Sequence, residues 1–96
     1  MARLELMPEA IDDLDRILDF PVQNKTPNAS TKIQEIQQSI NVLKLTPLIG
    51  HSIRDGKREL FIGKRRHGYV VIYRHFADID TVFVLAIQSQ RQQRQR

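Results

Sequence analysis

The apolar positions of this chain follow two different rhythms. In the second half they run in unbroken or alternating stretches, which predict strands at Arg58 to Gly63, Gly68 to Phe76 and Thr81 to Ile87. The middle stretch, Tyr69-Val70-Val71-Ile72-Tyr73, is nearly continuous in aromatic and β-branched residues, as a strand with neighbours on both sides should be. Lys64-Arg65-Arg66-His67 turns between the first two strands, and Ala77-Asp78-Ile79-Asp80 links the last two tightly. The three are therefore expected as antiparallel neighbours.

Upstream, Arg3 to Met7 reads as a short first strand, with Leu4 and Leu6 on one face and Arg3 and Glu5 on the other. Pro8 suits the first turn of a helix. Ala10, Ile11, Leu14, Ile17 and Leu18 follow as an apolar stripe at helical period, with Glu9, Asp12 and Asp13 near the positive N-terminal end. Phe20-Pro21 is expected to close this helix. After a polar loop in which Thr26-Pro27 or Asn28 supplies a cap, a second stripe runs Ala29, Ile33, Ile36, Ile40 and Leu43 until Thr46-Pro47. Residues Gly50 to Gly56 read as a polar connection, and Gln88 to Arg96 as a low-complexity polar tail. The order is β-α-α-β-β-β: a single α+β domain over 1–96, residues 89–96 a flexible tail, with a helical hairpin packed on a small antiparallel sheet.

Charge changes the picture. The net charge is +4, but residues 51–96 carry ten Lys/Arg against four Asp/Glu, while residues 1–50 carry five against seven. A basic half on a small domain points to an anionic partner, either nucleic acid or an acidic protein. With no cysteine, a disulfide framework and a thiolate nucleophile are excluded. The three histidines lack the helical spacing of a metal pair, so neither metal nor cofactor is called for. No apolar run approaches the roughly 20 residues of a membrane helix and no signal peptide is visible, so a cytoplasmic protein is expected.

The opening Leu4-Glu5-Leu6-Met7-Pro8-Glu9-Ala10-Ile11-Asp12-Asp13-Leu14, the Leu43 to Gly50 segment with Pro47, and Arg58-Glu59-Leu60 carry a resemblance. Gly68-Tyr69-Val70-Val71-Ile72-Tyr73-Arg74 and Val82-Phe83-Val84-Leu85-Ala86-Ile87, with Gln90-Arg91 after it, complete the ordered set. Together they resemble the RelE/ParE superfamily of toxins from type II toxin–antitoxin modules over nearly the whole chain. Met7 departs from the pattern, which often has a Ser or Thr there. The resemblance implies one fold with two activities: RelE-like members are ribosome-associated endoribonucleases that cut mRNA, and ParE-like members poison DNA gyrase. It also implies a cognate antitoxin, acidic where it binds the toxin and partly disordered when free, forming a heteromeric complex. A degenerate member would keep only antitoxin binding and autoregulation.

Cleavage of RNA needs an activated 2′-OH, a stabilised phosphate and a protonated leaving oxygen. Arg58, Lys64, Arg65, Arg66, Arg74 and Arg91 are the expected anion-contacting groups, with Lys57 a further candidate cation. The proton carriers are His51, His67, His75, Tyr69 and Tyr73, of which His67, Tyr73 and His75 form the reserve acid–base set. RelE-like nucleases usually place a Tyr or His after the last strand; here Gln88-Ser89-Gln90-Arg91-Gln92 offers neither, which favours the gyrase branch. Structural readings stand beside these. Tyr69 and Tyr73 share a face and read as packing residues with hydroxyls at the rim. His51 reads as a surface loop residue, and Arg58 as the partner of an aspartate on the first helix. The basic turn Lys64 to His67 reads equally as a solvated turn. Arg74 and His75 point to opposite faces, so at most one joins a given site.

Overall fold

In the computed structural model, two helices lie across one face of a five-stranded sheet. Residues 1–23, 29–63 and 68–90 are described, with side chains throughout except at 18–23 and 29–33. The elements are β1 (Arg3–Leu6), α1 (Pro8–Gln23), α2 (Ala29–Leu45), β2 (His51–Ser52), β3 (Lys57–Ile62), β4 (Tyr69–Phe76) and β5 (Thr81–Ser89). Their order across the sheet is β1-β5-β4-β3-β2. Strands β2 to β5 are antiparallel neighbours, and β1 pairs parallel to β5 at the opposite edge. The expected α+β architecture is present, with the first strand at the rim.

Alternation along the strands decides what the helices cover. Leu60 and Ile62 of β3, Val71 and Tyr73 of β4, and Val82 and Val84 of β5 turn to the helices. There they meet Ala10 and Leu14 of α1 and Ile36, Ile40 and Leu43 of α2. Each aliphatic side chain fully buried in this way contributes about 1.5–3 kcal/mol. Opposite Ile72 and Tyr73 the register slips by one, since Ile72 faces Ala86 and Tyr73 faces Val84. Leu85 is the extra residue. This bulge lets Ile87 return to the core face despite its odd number.

Four expectations change. Helix α1 runs through Pro21 to Gln23: the bond a proline deletes is here among the last in the helix, so helical geometry persists for two more residues. Ile11 is exposed and Asp13 buried, because the covered stripe is 10, 13, 14 and 17, the spacing of a helix face. The connection after Gly50 contains β2, whose His51 and Ser52 pair with Glu59 and Arg58. Finally, β5 takes in Gln88 and Ser89 opposite Val70 and Tyr69, and the Gln90 N–H donates to the Gly68 carbonyl at 3.0 Å. Backbone pairing recruits these residues whatever their side chains. The expected caps at Thr26 to Asn28 lie outside the described residues, as do the side chains of Leu18, Ala29 and Ile33.

Candidate functional site

The sheet has two faces, and the sequence-predicted residues divide between them. Arg58 and Tyr73 stand directly opposite each other on β3 and β4, on the face that the helices cover. The Tyr73 side chain is fully buried. Its hydroxyl donates to the Pro47 carbonyl at 2.7 Å and accepts from the Gly50 N–H at 2.9 Å. The Arg58 guanidinium donates to the Gly50 carbonyl at 2.8 Å and to the Leu48 carbonyl at 3.3 Å. Two side chains thus clasp the whole connection between α2 and β2. The hydroxyl of Tyr73 is not at a rim, and the partner of Arg58 is this backbone rather than an aspartate of α1. A connection that leaves the helix end with unpaired carbonyls needs such donors.

Burial pushes the Tyr73 phenol above its ordinary 10.0, against the smaller opposing pulls of the Gly50 hydrogen bond and the Arg58 charge. Tyr69, half-buried against the same core, is also raised by burial. His75 opposes Val82 on the helix-side face and its Nε2 lies 3.2 Å from the Asp80 carboxylate. Each of these proton carriers already serves the fold.

Arg74 lies on the opposite, open face. It stands directly across from Lys57, and its guanidinium carbon lies 4.8 Å above the centre of the Phe76 ring. Phe76 in turn meets Phe83 edge-on at 5.4 Å. The guanidinium also lies close to Gly56, where a Cβ would come within 3.2 Å of Arg74 Nη2. Gly56 also has φ +73, so both its backbone and its neighbour call for glycine. His51, opposite Glu59, shares this face and meets Phe61 at 6.3 Å. Lys64, Arg65, Arg66, His67 and Arg91 lie outside the described residues.

Sequence reasoning overlooked Asp13. Its carboxylate accepts the Ile87 N–H at 2.8 Å and pairs with Arg16. Strand β1 ends opposite Val84, so β5 runs on with an uncovered edge, and α1 supplies an acceptor there. The place of Asp13 in the 10, 13, 14, 17 stripe was the available signal.

Residues 4–94 match the family described as ParE toxin of type II toxin-antitoxin system, parDE. The chain belongs to this ParE toxin family. A chain of the chromosomal ParDE TA system from P. aeruginosa has a similar structure, with TM-score 0.75 and 24% identity, over 93% of this chain and 96% of that one. A chain of the intact E. coli RelBE toxin–antitoxin complex is similar with TM-score 0.62 and 15% identity, over 93% of this chain and 96% of that one. At these identities the likeness is one of fold. Among curated proteins, none matches. This ParE-family toxin has, among its described residues, no helix long and apolar enough to cross a membrane.

Proposed function

We propose that this ParE-family toxin arrests growth by poisoning DNA gyrase and is neutralised by a cognate antitoxin. The observation that carries the reading is the employment of Tyr73: both hydrogen-bonding roles of its hydroxyl hold the Pro47 and Gly50 backbone. It lies on the face opposite Lys57 and Arg74. His75 is likewise taken by Asp80 on that helix-side face. Poisoning an enzyme–DNA complex needs surfaces rather than a proton relay, and the cations of the open face suit it. Arg74, with Lys64, Arg65, Arg66 and Arg91, remains a proposed anion-contacting group, and Arg58 becomes a support of the connection between α2 and β2. Exposed Leu45 at the end of α2, with Leu48 and Ile49 on the clasped connection, supports a protein partner, and the antitoxin is the one we assign to them.

One observation favours the mRNA-cleaving reading. His51 and Glu59 are direct neighbours on the open face, one step along the strands from the row of Lys57 and Arg74, where an acid–base pair beside cations would have to be. Purified toxin added to gyrase with plasmid, and separately to translating ribosomes, separates the two. Protein-linked broken DNA with intact mRNA supports gyrase poisoning. Cut mRNA that His51→Gln abolishes, with normal supercoiling, transfers the activity to the open-face pair. Silence in both assays leaves a toxin that only binds antitoxin.

A further inference from the structure

The open face carries an anion site that the fold itself prepares. Lys57 and Arg74 are like charges placed directly opposite each other on neighbouring strands, an arrangement that costs stability when nothing stands between them. Among the described residues, ion pairs join Arg16 to Asp13 and His75 to Asp80, and neither Lys57 nor Arg74 enters one. Arg74 is nevertheless held in place, with its guanidinium above the Phe76 ring and close to Gly56. The ring fixes one flat face of the guanidinium, and its N–H groups are the donors it offers. A fixed guanidinium edge beside an ammonium is a donor set for phosphate oxygens.

The same face bears aromatic surface. Phe61 is 47% exposed and Phe76 39% exposed. Phe61 stands opposite Val70, which puts it four residues from Arg74 along β4, about 13 Å away. At the roughly 3.4 Å step per nucleotide of a duplex strand, about four nucleotides span the two subsites. Stacking on Phe61 requires bases free of a complementary strand. Glu5 stands across Phe83 from Arg74, and Glu59 lies on the face between Lys57 and Phe61, so the positive ground is confined to the Lys57–Arg74 pair.

We infer that Lys57 and Arg74 bind the phosphodiester backbone of a single nucleic-acid strand whose bases stack on Phe61. The inference rests on the gyrase reading only for its expectation of DNA rather than RNA. Fluorescence anisotropy of labelled single-stranded DNA with the purified full chain tests it, with RNA of the same sequence, duplex DNA and a polyglutamate peptide as parallel probes. Single strands bind, duplex binds more weakly, and Lys57→Gln and Arg74→Gln each weaken binding about tenfold. Each also lowers the slope of log affinity against log salt by about 0.7. Phe61→Ala weakens binding about tenfold without changing that slope. Arg74→Lys, which keeps the charge and loses the fixed edge, falls between wild type and Arg74→Gln. Thermal melts establish that each variant is folded.

Binding of RNA alongside or instead of DNA upholds the site and names its source. No binding of any strand overturns the inference, as does binding that these variants leave unchanged. So does a polyglutamate affinity that equals that of DNA and falls with the same variants, since the site would then be for acidic protein. The assay contains no gyrase, so failure here and failure of gyrase poisoning are read separately.

Discussion

A Cβ on Gly50 would stand 2.7 Å from the Tyr73 hydroxyl. Strand β4 and the connection after α2 approach so closely that a side chain at position 50 and a phenol at position 73 exclude each other. The same approach lets the Gly50 N–H reach that hydroxyl. Gly50→Ala is therefore expected to unseat the connection and to destabilise the toxin more than Tyr73→Phe does. Tyr73→Phe leaves the buried Gly50 N–H and the Pro47 carbonyl unpaired, a cost of about 1–3 kcal/mol. Arg58→Ala removes the second half of the clasp. Because both residues hold one loop, the double variant Arg58→Ala/Tyr73→Phe should be less destabilised than the sum of the singles. Urea unfolding of the four proteins measures this, and strict additivity would show that the two side chains act independently.

Asp13 joins α1 to the uncovered edge of β5 through the Ile87 N–H. Asp13→Ala is expected to cost about 1–3 kcal/mol by leaving that amide unpaired, whereas Asp13→Asn keeps an acceptor and costs less. Hydrogen exchange at the Ile87 amide reports the contact directly. Faster exchange in Asp13→Ala than in Asp13→Asn is expected; equal protection in both would mean another acceptor covers the edge.

Burial raises both tyrosines above 10.0, which fixes the sign of an alkaline effect. Folded phenols hold their protons where unfolded ones have lost them, so the unfolded state binds fewer protons in that window and stability falls as pH rises. The contribution is complete below pH 10 and is lost as pH climbs through the folded values. Melting temperatures should be insensitive to the tyrosines at neutral pH and decline above 10. Tyr69→Phe and Tyr73→Phe should each flatten the decline. An unchanged slope in both variants would place the alkaline transition elsewhere.

Legibility in the sequence followed the physics of each element. Strands β3, β4 and β5 were visible because the sheet centre demands long apolar runs, and the α2 stripe because one face is fully covered. Strand β2 was invisible: two polar residues enter the sheet only because Glu59 and Arg58 offer a backbone edge. The ending of β5 was hidden likewise, since Gln88 and Ser89 pair through main chain. The candidate site divided the same way. That Arg74 and His75 take opposite faces follows from strand alternation. That Tyr73 and Arg58 serve the loop at 46–50 depends on contacts across 26 and 10 residues, which no local pattern encodes. Lys57 gained its place only when the register set it against Arg74.

Gyrase is the proposed target of this ParE-family toxin. The most direct measurement is the amount of protein-linked, broken plasmid that accumulates when the purified full chain is added to gyrase and ATP. Accumulation that rises with toxin and is suppressed by the cognate antitoxin is the result expected here. Undiminished supercoiling with no broken DNA, from a preparation that arrests growth when expressed, would contradict the account and turn attention to His51 and Glu59.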